Sequence, residues 1–206
     1  LNILGGDTVR TEGPMVWTVT IIGEVPKGTA VMRSGAQVGD VVGVTNYVGY
    51  AATGLGALSY NLEGYDMTKI GHQRPDPQIE LGDQLRQLGV HSMNDISDGL
   101  GSELNEIASA SNVSIVIEEK AIPLHEETYE LAKYLKTNPV DYALYGGEDF
   151  QLVFTAPKSL VPELEKLVGI TLIGEVVSDS PKVQMVTPDR TIKTIEAKGY
   201  NHFHES

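Results

Sequence analysis

Asp95-Ile96-Ser97-Asp98-Gly99-Leu100 places two carboxylates and a hydroxyl directly ahead of an apolar pattern of helical period. Leu100, Leu104, Ile107 and Ala108 fall on one helical face, which predicts a helix beginning at this segment. The acidic cluster therefore sits at a helix N-terminus. Two readings follow. Carboxylates there can cap free N–H groups and complement the helix dipole. They can also hold Mg²⁺, a hard cation that takes one or two carboxylates plus substrate phosphates and keeps several waters. The helix start would then favour the phosphate itself.

Two distant segments bear on that choice. Tyr145-Gly146-Gly147-Glu148-Asp149-Phe150 runs into the β-prone Gln151-Leu152-Val153-Phe154-Thr155. It puts a glycine turn and two charges at the mouth of a strand. Charges at the start of a buried strand are costly unless they have partners. A polar turn into a strand is the plainer reading. Leu4-Gly5-Gly6-Asp7 repeats the logic of an apolar run, a glycine turn and a carboxylate.

Elsewhere the pattern alternates. Strands are expected over residues 16–23, 41–45, 114–117 and 170–176. Helices are expected over 49–60, 81–88, 126–135 and 160–168. Residues 27–30 read as a linker, and the prolines at 75 and 77 force an extended stretch. Strands interleaved with helices give an α/β or α+β domain.

The 206 residues include 15 Lys+Arg against 28 Asp+Glu, a formal charge of −13. Such a surface repels nucleic acid and anionic membranes. A phosphate-handling protein this acidic needs cations to admit anionic ligands. With no cysteine, disulfides and thiolate chemistry are excluded. No apolar run approaches the ~18 residues of a membrane helix, and no signal-peptide pattern opens the chain. Five histidines show no metal-ligand spacing beyond His202-x-His204, and none is assigned to a metal.

In order, Gly5-Gly6-Asp7, Arg33-Ser34-Gly35-Ala36, Gly39-Asp40, the stretch 49–55, Pro75-Asp76-Pro77, Asp95–Leu100, Gly146-Gly147-Glu148-Asp149 and Gly199-Tyr200-Asn201-His202-Phe203 resemble the thiamine-monophosphate kinase family. That family belongs to a superfamily with aminoimidazole ribonucleotide synthetase and selenophosphate synthetase. The resemblance implies an α+β fold, a mixed sheet with helices packed on it. Residues 1–30 would be the last strands of an N-terminal ATP-binding domain, mostly lacking here, and residues 31–206 the C-terminal domain. It implies a cytoplasmic homodimer that moves the γ-phosphoryl of ATP directly onto thiamine monophosphate, with Mg²⁺ and no phosphoenzyme.

Carried over by position, Gly6, Asp7, Arg33 and Ser97 match ATP-binding positions, and Asp7, Asp95 and Asp98 match metal ligands. Glu148 and Tyr200 match substrate contacts, the tyrosine as an aromatic face for the thiamine ring. A guanidinium at 33 suits phosphate oxygens, although without the resemblance residue 33 reads as a surface linker arginine. The 206 residues by themselves are expected to fold but not to turn over ATP. The rival readings are a selenophosphate synthetase-like or hydrogenase-maturation-like enzyme, or a non-catalytic dimerising or ligand-binding fragment. Asn46, where the family usually has glycine, Tyr50, and Gln78, where arginine is common, depart from the pattern.

Overall fold

The computed structural model describes residues 2–178 and 180–198. Its centre is a seven-stranded mixed sheet of order β2-β4-β1-β5-β3-β6-β7. The strands are β1 (Val41–Thr45), β2 (Ser92–Ile96), β3 (Ser114–Glu118), β4 (Gln151–Ala156), β5 (Ile170–Ser178), β6 (Lys182–Val186) and β7 (Ile192–Thr194). Neighbours run antiparallel except β3 and β6, which are parallel. The helices are α1 (Tyr50–Ser59), α2 (Asp66–Gln73), α3 (Ile79–Leu88), α4 (Leu100–Ser111), α5 (Glu126–Leu135), α6 (Pro139–Tyr145) and the short α7 (Val161–Leu164). This is the expected α+β architecture. No helix among the described residues is long and apolar enough to cross a membrane.

The strand period of two sorts side chains onto two cores. Val42 and Val44 of β1 and Val153 of β4 join Ile96, Leu100, Leu104 and Ile107 on the α4 side. Val41 and Phe154 turn the other way and meet Leu85 of α3 and Leu164 of α7. Both faces are covered, so every residue of β1 is buried. Ile107 has no solvent exposure; truncating such a side chain to alanine costs about 2–5 kcal/mol.

Two sequence expectations change. Residues 16–23 pair with no strand among those described. Val16, Trp17, Val19, Ile21 and Ile22 are each more than 70% exposed. β-Branched composition makes a strand only where another edge accepts its hydrogen bonds. The helix expected over 160–168 shrinks to α7, preceded by a 3₁₀ turn at Lys158–Leu160. Pro162 occupies its first turn, and beyond it the N–H groups of Lys166 and Leu167 bond to Glu163 and Leu164. Those three-residue spacings tighten the chain into turns instead of extending the helix.

Candidate functional site

β2 lies at the edge of the sheet and ends on Ile96. Ser92, Asn94 and Ile96 are buried, while Asp95 is exposed. The chain then turns through Ser97-Asp98-Gly99 into α4, where Gly99 stands at the N-cap with φ 94°. Gly99 is required by space as well as by angle: a Cβ there would lie 2.6 Å from the Leu144 carbonyl oxygen. That oxygen belongs to α6, whose end leads into Gly146-Gly147-Glu148-Asp149 and β4.

The two loops lock together through their backbones. The Glu148 N–H donates to the Ser97 carbonyl at 2.7 Å, and the Phe150 N–H donates to the Ile96 carbonyl at 2.9 Å. Gly147 is the contact point, with φ 72° and space for no Cβ, which would sit 2.5 Å from the Ser97 carbonyl oxygen. Glu148 and Phe150 hold φ values of 61° and 49°, a conformation that costs energy in residues other than glycine. The surrounding bonds must hold it. The structure thus brings Ser97, Asp98 and Glu148 together on one corner, with Asp95 one strand residue earlier.

Arg33 reaches the same corner from the segment before β1. The Met93 N–H donates to the Met32 carbonyl at 3.0 Å, laying residues 32–33 along the outer edge of β2. Arg33 Nε then donates to Asn94 Oδ1 at 3.2 Å, and Nη1 pairs with Glu106 Oε2 at 2.8 Å. The guanidinium is about half exposed, so it is held on one side and open on the other.

Behind these groups lies Glu103, only 2% exposed. It accepts from Asn94 Nδ2 and from the Asp98 N–H, the latter at 3.3 Å. Burial pushes its carboxyl up to about 7 against the Asp98 N–H, helped by the charges of Glu106, Asp95 and Asp98. The corner carries an excess of negative charge that a divalent cation would relieve. Asp95 and Asp98 are exposed oxygen donors of the kind Mg²⁺ takes. Among the described residues no three His, Asp or Glu side chains converge on one cation position.

Asp149, 4% exposed, faces away from the corner. Its carboxylate accepts from the Gly49 N–H at 2.6 Å and the Ala51 N–H at 2.9 Å. It caps α1 from 100 residues away along the chain, where Gly49 offers no side chain of its own. Burial raises its carboxyl to about 6, more than the N–H groups of Ala51, Gly49 and Tyr50 lower it.

The remaining expected residues stand apart. Asp7 lies in the exposed segment 2–25, where its carboxylate accepts from the neighbouring Thr8 N–H at 2.8 Å. Gly6 lies beside it and is also exposed. Tyr200 and the Gly-Tyr-Asn-His-Phe ending lie outside the described residues. Sequence reasoning missed Asn94, Glu103 and Glu106 as partners. Glu103 had a visible signal: it sits three residues after Leu100, on the apolar stripe of α4, where a charge needs a partner.

Residues 37–186 match the model of the AIR synthase related protein, C-terminal domain. The chain belongs to this family. It is 39% identical over 214 aligned residues to the thiamine-monophosphate kinase of Bacillus subtilis (strain 168), covering 98% of this chain and 65% of that protein. The chain therefore spans just under two thirds of that relative's length. The solved structure of AaThiL complexed with AMPPCP and TMP superposes with a TM-score of 0.72 at 34% identity, covering 84% of this chain and 54% of that one. Hydrogenase maturation protein HypE in complex with ATP superposes with a TM-score of 0.65 at 21% identity, covering 84% and 55%. At that identity the likeness is one of fold.

Proposed function

We propose that the protein carrying these residues is a thiamine-monophosphate kinase, transferring the γ-phosphoryl of ATP to thiamine monophosphate to give thiamine diphosphate. The observation that carries the proposal is the 39% identity to the Bacillus subtilis kinase across 98% of this chain. The likeness to AaThiL complexed with AMPPCP and TMP supports it. So does the corner itself, where Ser97, Asp98 and Glu148 stand on two interlocked loops, with Asp95 on the adjoining strand β2 and Arg33 held along its edge.

The chemistry asks little covalent help. Transfer between two phosphates is limited by charge repulsion and alignment. Asp95 and Asp98 would hold Mg²⁺, which supplies charge neutralisation to the phosphates when bound. Arg33, fixed by Glu106 and Asn94, presents a guanidinium to phosphate oxygens with its orientation already set. Ser97 offers a hydroxyl to the nucleotide beside the start of α4. Glu148 presents a carboxylate to the cationic or amino-bearing rings of thiamine monophosphate, and Tyr200 an aromatic face.

Residues 1–30, with Gly6 and Asp7, are assigned to the end of an ATP-binding domain. Asp7 would complete the metal set from that side. The exposed apolar side chains of residues 16–22 support this, since they need a sheet to pair with. The protein is further proposed to be a cytoplasmic homodimer. The test is product identification with the full-length protein, Mg²⁺ and ATP, offered thiamine monophosphate, thiamine or selenide in turn. ATP consumption with thiamine diphosphate and ADP formed only from thiamine monophosphate supports the proposal, and ATP consumption with selenide but not with thiamine monophosphate refutes it.

A further inference from the structure

We infer that Asp149 is a positioning residue for the substrate end of the site, holding Glu148 in place by tying its loop to the start of α1. The inference rests on the role proposed for Glu148. Asp149 is buried, and both its oxygens accept backbone N–H groups, from Gly49 at 2.6 Å and from Ala51 at 2.9 Å. Gly49 has no side chain to cap α1, so the helix start depends on this distant carboxylate. The neighbour, Glu148, points the other way and is exposed. It stands in the left-handed region at φ 61°, between Gly147 at 72° and Phe150 at 49°.

A loop of this kind does not hold its shape by local preference. Three anchors hold it. Two are the backbone bonds from Glu148 and Phe150 to Ser97 and Ile96, on the β2 side. The third is the Asp149 carboxylate on α1. Remove the third, and the loop is fixed on one side only. The Glu148 carboxylate would then sample positions away from the ring it is proposed to meet, while Arg33, Asp95 and Asp98 keep their own supports on β2 and α4. Loss of Asp149 should therefore weaken the thiamine end of binding more than the nucleotide end.

The experiment compares Asp149→Asn with the unaltered full-length protein, using KM for thiamine monophosphate and for ATP. The expected result is a rise of about tenfold or more in the first and a change within about threefold in the second. In a Glu148→Gln background, Asp149→Asn should add less than about threefold, because both changes disable the same contact. Equal effects on the two substrates, or full additivity with Glu148→Gln, overturn the inference in favour of a purely structural cap. If Asp149→Asn does not fold, amide hydrogen exchange of the unaltered protein decides. The N–H groups of Glu148 and Phe150 should open with the same free energy as those of Gly49 and Ala51; independent opening overturns the inference. Exchange needs no substrate, so a protein that fails to phosphorylate thiamine monophosphate but shows coupled opening rejects the proposed activity and leaves the anchoring role standing.

Discussion

Asn46 Nδ2 donates to Gln78 Oε1 at 2.9 Å. These are two of the three positions where the sequence departs from the pattern of thiamine-monophosphate kinases. The same nitrogen also bonds Gln151 Oε1 at 3.0 Å, and Gln151 in turn accepts from the buried Thr45 hydroxyl. The departures are thus partners in one amide network, which ties the end of β1 to the start of β4 and the segment before α3. A surface cavity of about 590 Å³ opens at this pair, with Asp76 and Glu80 among its lining residues.

Asn46 holds φ 44°, and asparagine tolerates that region better than most residues. Asn46→Gly should change stability by less than about 1 kcal/mol, since relief of backbone strain offsets two solvent-exposed hydrogen bonds. Asn46→Ala loses the same bonds and gains strain, and should cost about 1–2 kcal/mol more than the glycine variant. Urea titration of both variants checks the order.

Gly147→Ala should destabilise by about 2 kcal/mol or more, through the positive φ and the collision with the Ser97 carbonyl. The damage should reach beyond stability. Protection of the Glu148 and Phe150 amides from hydrogen exchange should fall with it, because the collision pushes the two loops apart. Unchanged protection in a folded Gly147→Ala protein would contradict the interlocking.

Asp98→Asn in the full-length protein should lower kcat by about 10²-fold or more at saturating ATP and leave Tm within a few degrees, because lost charge stabilisation is paid in the transition state. Asp98 is exposed, so its removal leaves no hole. Asp95→Asn should behave alike. Normal turnover of either variant at limiting Mg²⁺ rules out its role as a metal ligand.

The buried carboxyls give stability a direction with pH. Glu103 is raised from its ordinary 4.5 to about 7 and Asp149 from 3.8 to about 6. Between the ordinary and raised values the folded chain binds more protons than the unfolded one, so stability falls as pH rises. These contributions are fully present below pH ~4 and gone above pH ~7. Glu103→Gln should flatten the decline between pH 5 and 7. Denaturant melts at half-unit steps measure it, and an unchanged slope would show that Glu103 is not the titrating group.

Much of the fold was legible because period and punctuation agreed. β1, α1, α3, β3, α5, β4 and β5 stand within a few residues of their expected places. β2 was not legible. Ser92-Met93-Asn94-Asp95-Ile96 reads polar, yet Asn94 is buried because Glu103 and Arg33 supply its partners from elsewhere in the chain. α6 is short and begins at a proline, so its buried Val140, Ala143 and Leu144 span only about one turn of helical period, and β7 is fully exposed and shows no buried alternation. At the site, the motif residues Asp95, Ser97, Asp98 and Glu148 were visible because glycines flank them. Their supports were visible only as charges on apolar ground, because the partners that give Glu103 and Asp149 their meaning lie five and 100 residues away.

The most direct measurement follows phosphorus. ³¹P NMR of the full-length protein with Mg²⁺, ATP and thiamine monophosphate reports where the γ-phosphoryl goes. Direct transfer predicts that the two coupled resonances of thiamine diphosphate grow in step with ADP and are lost with Asp98→Asn. Inorganic phosphate appearing with ADP while thiamine monophosphate stays unchanged would contradict it.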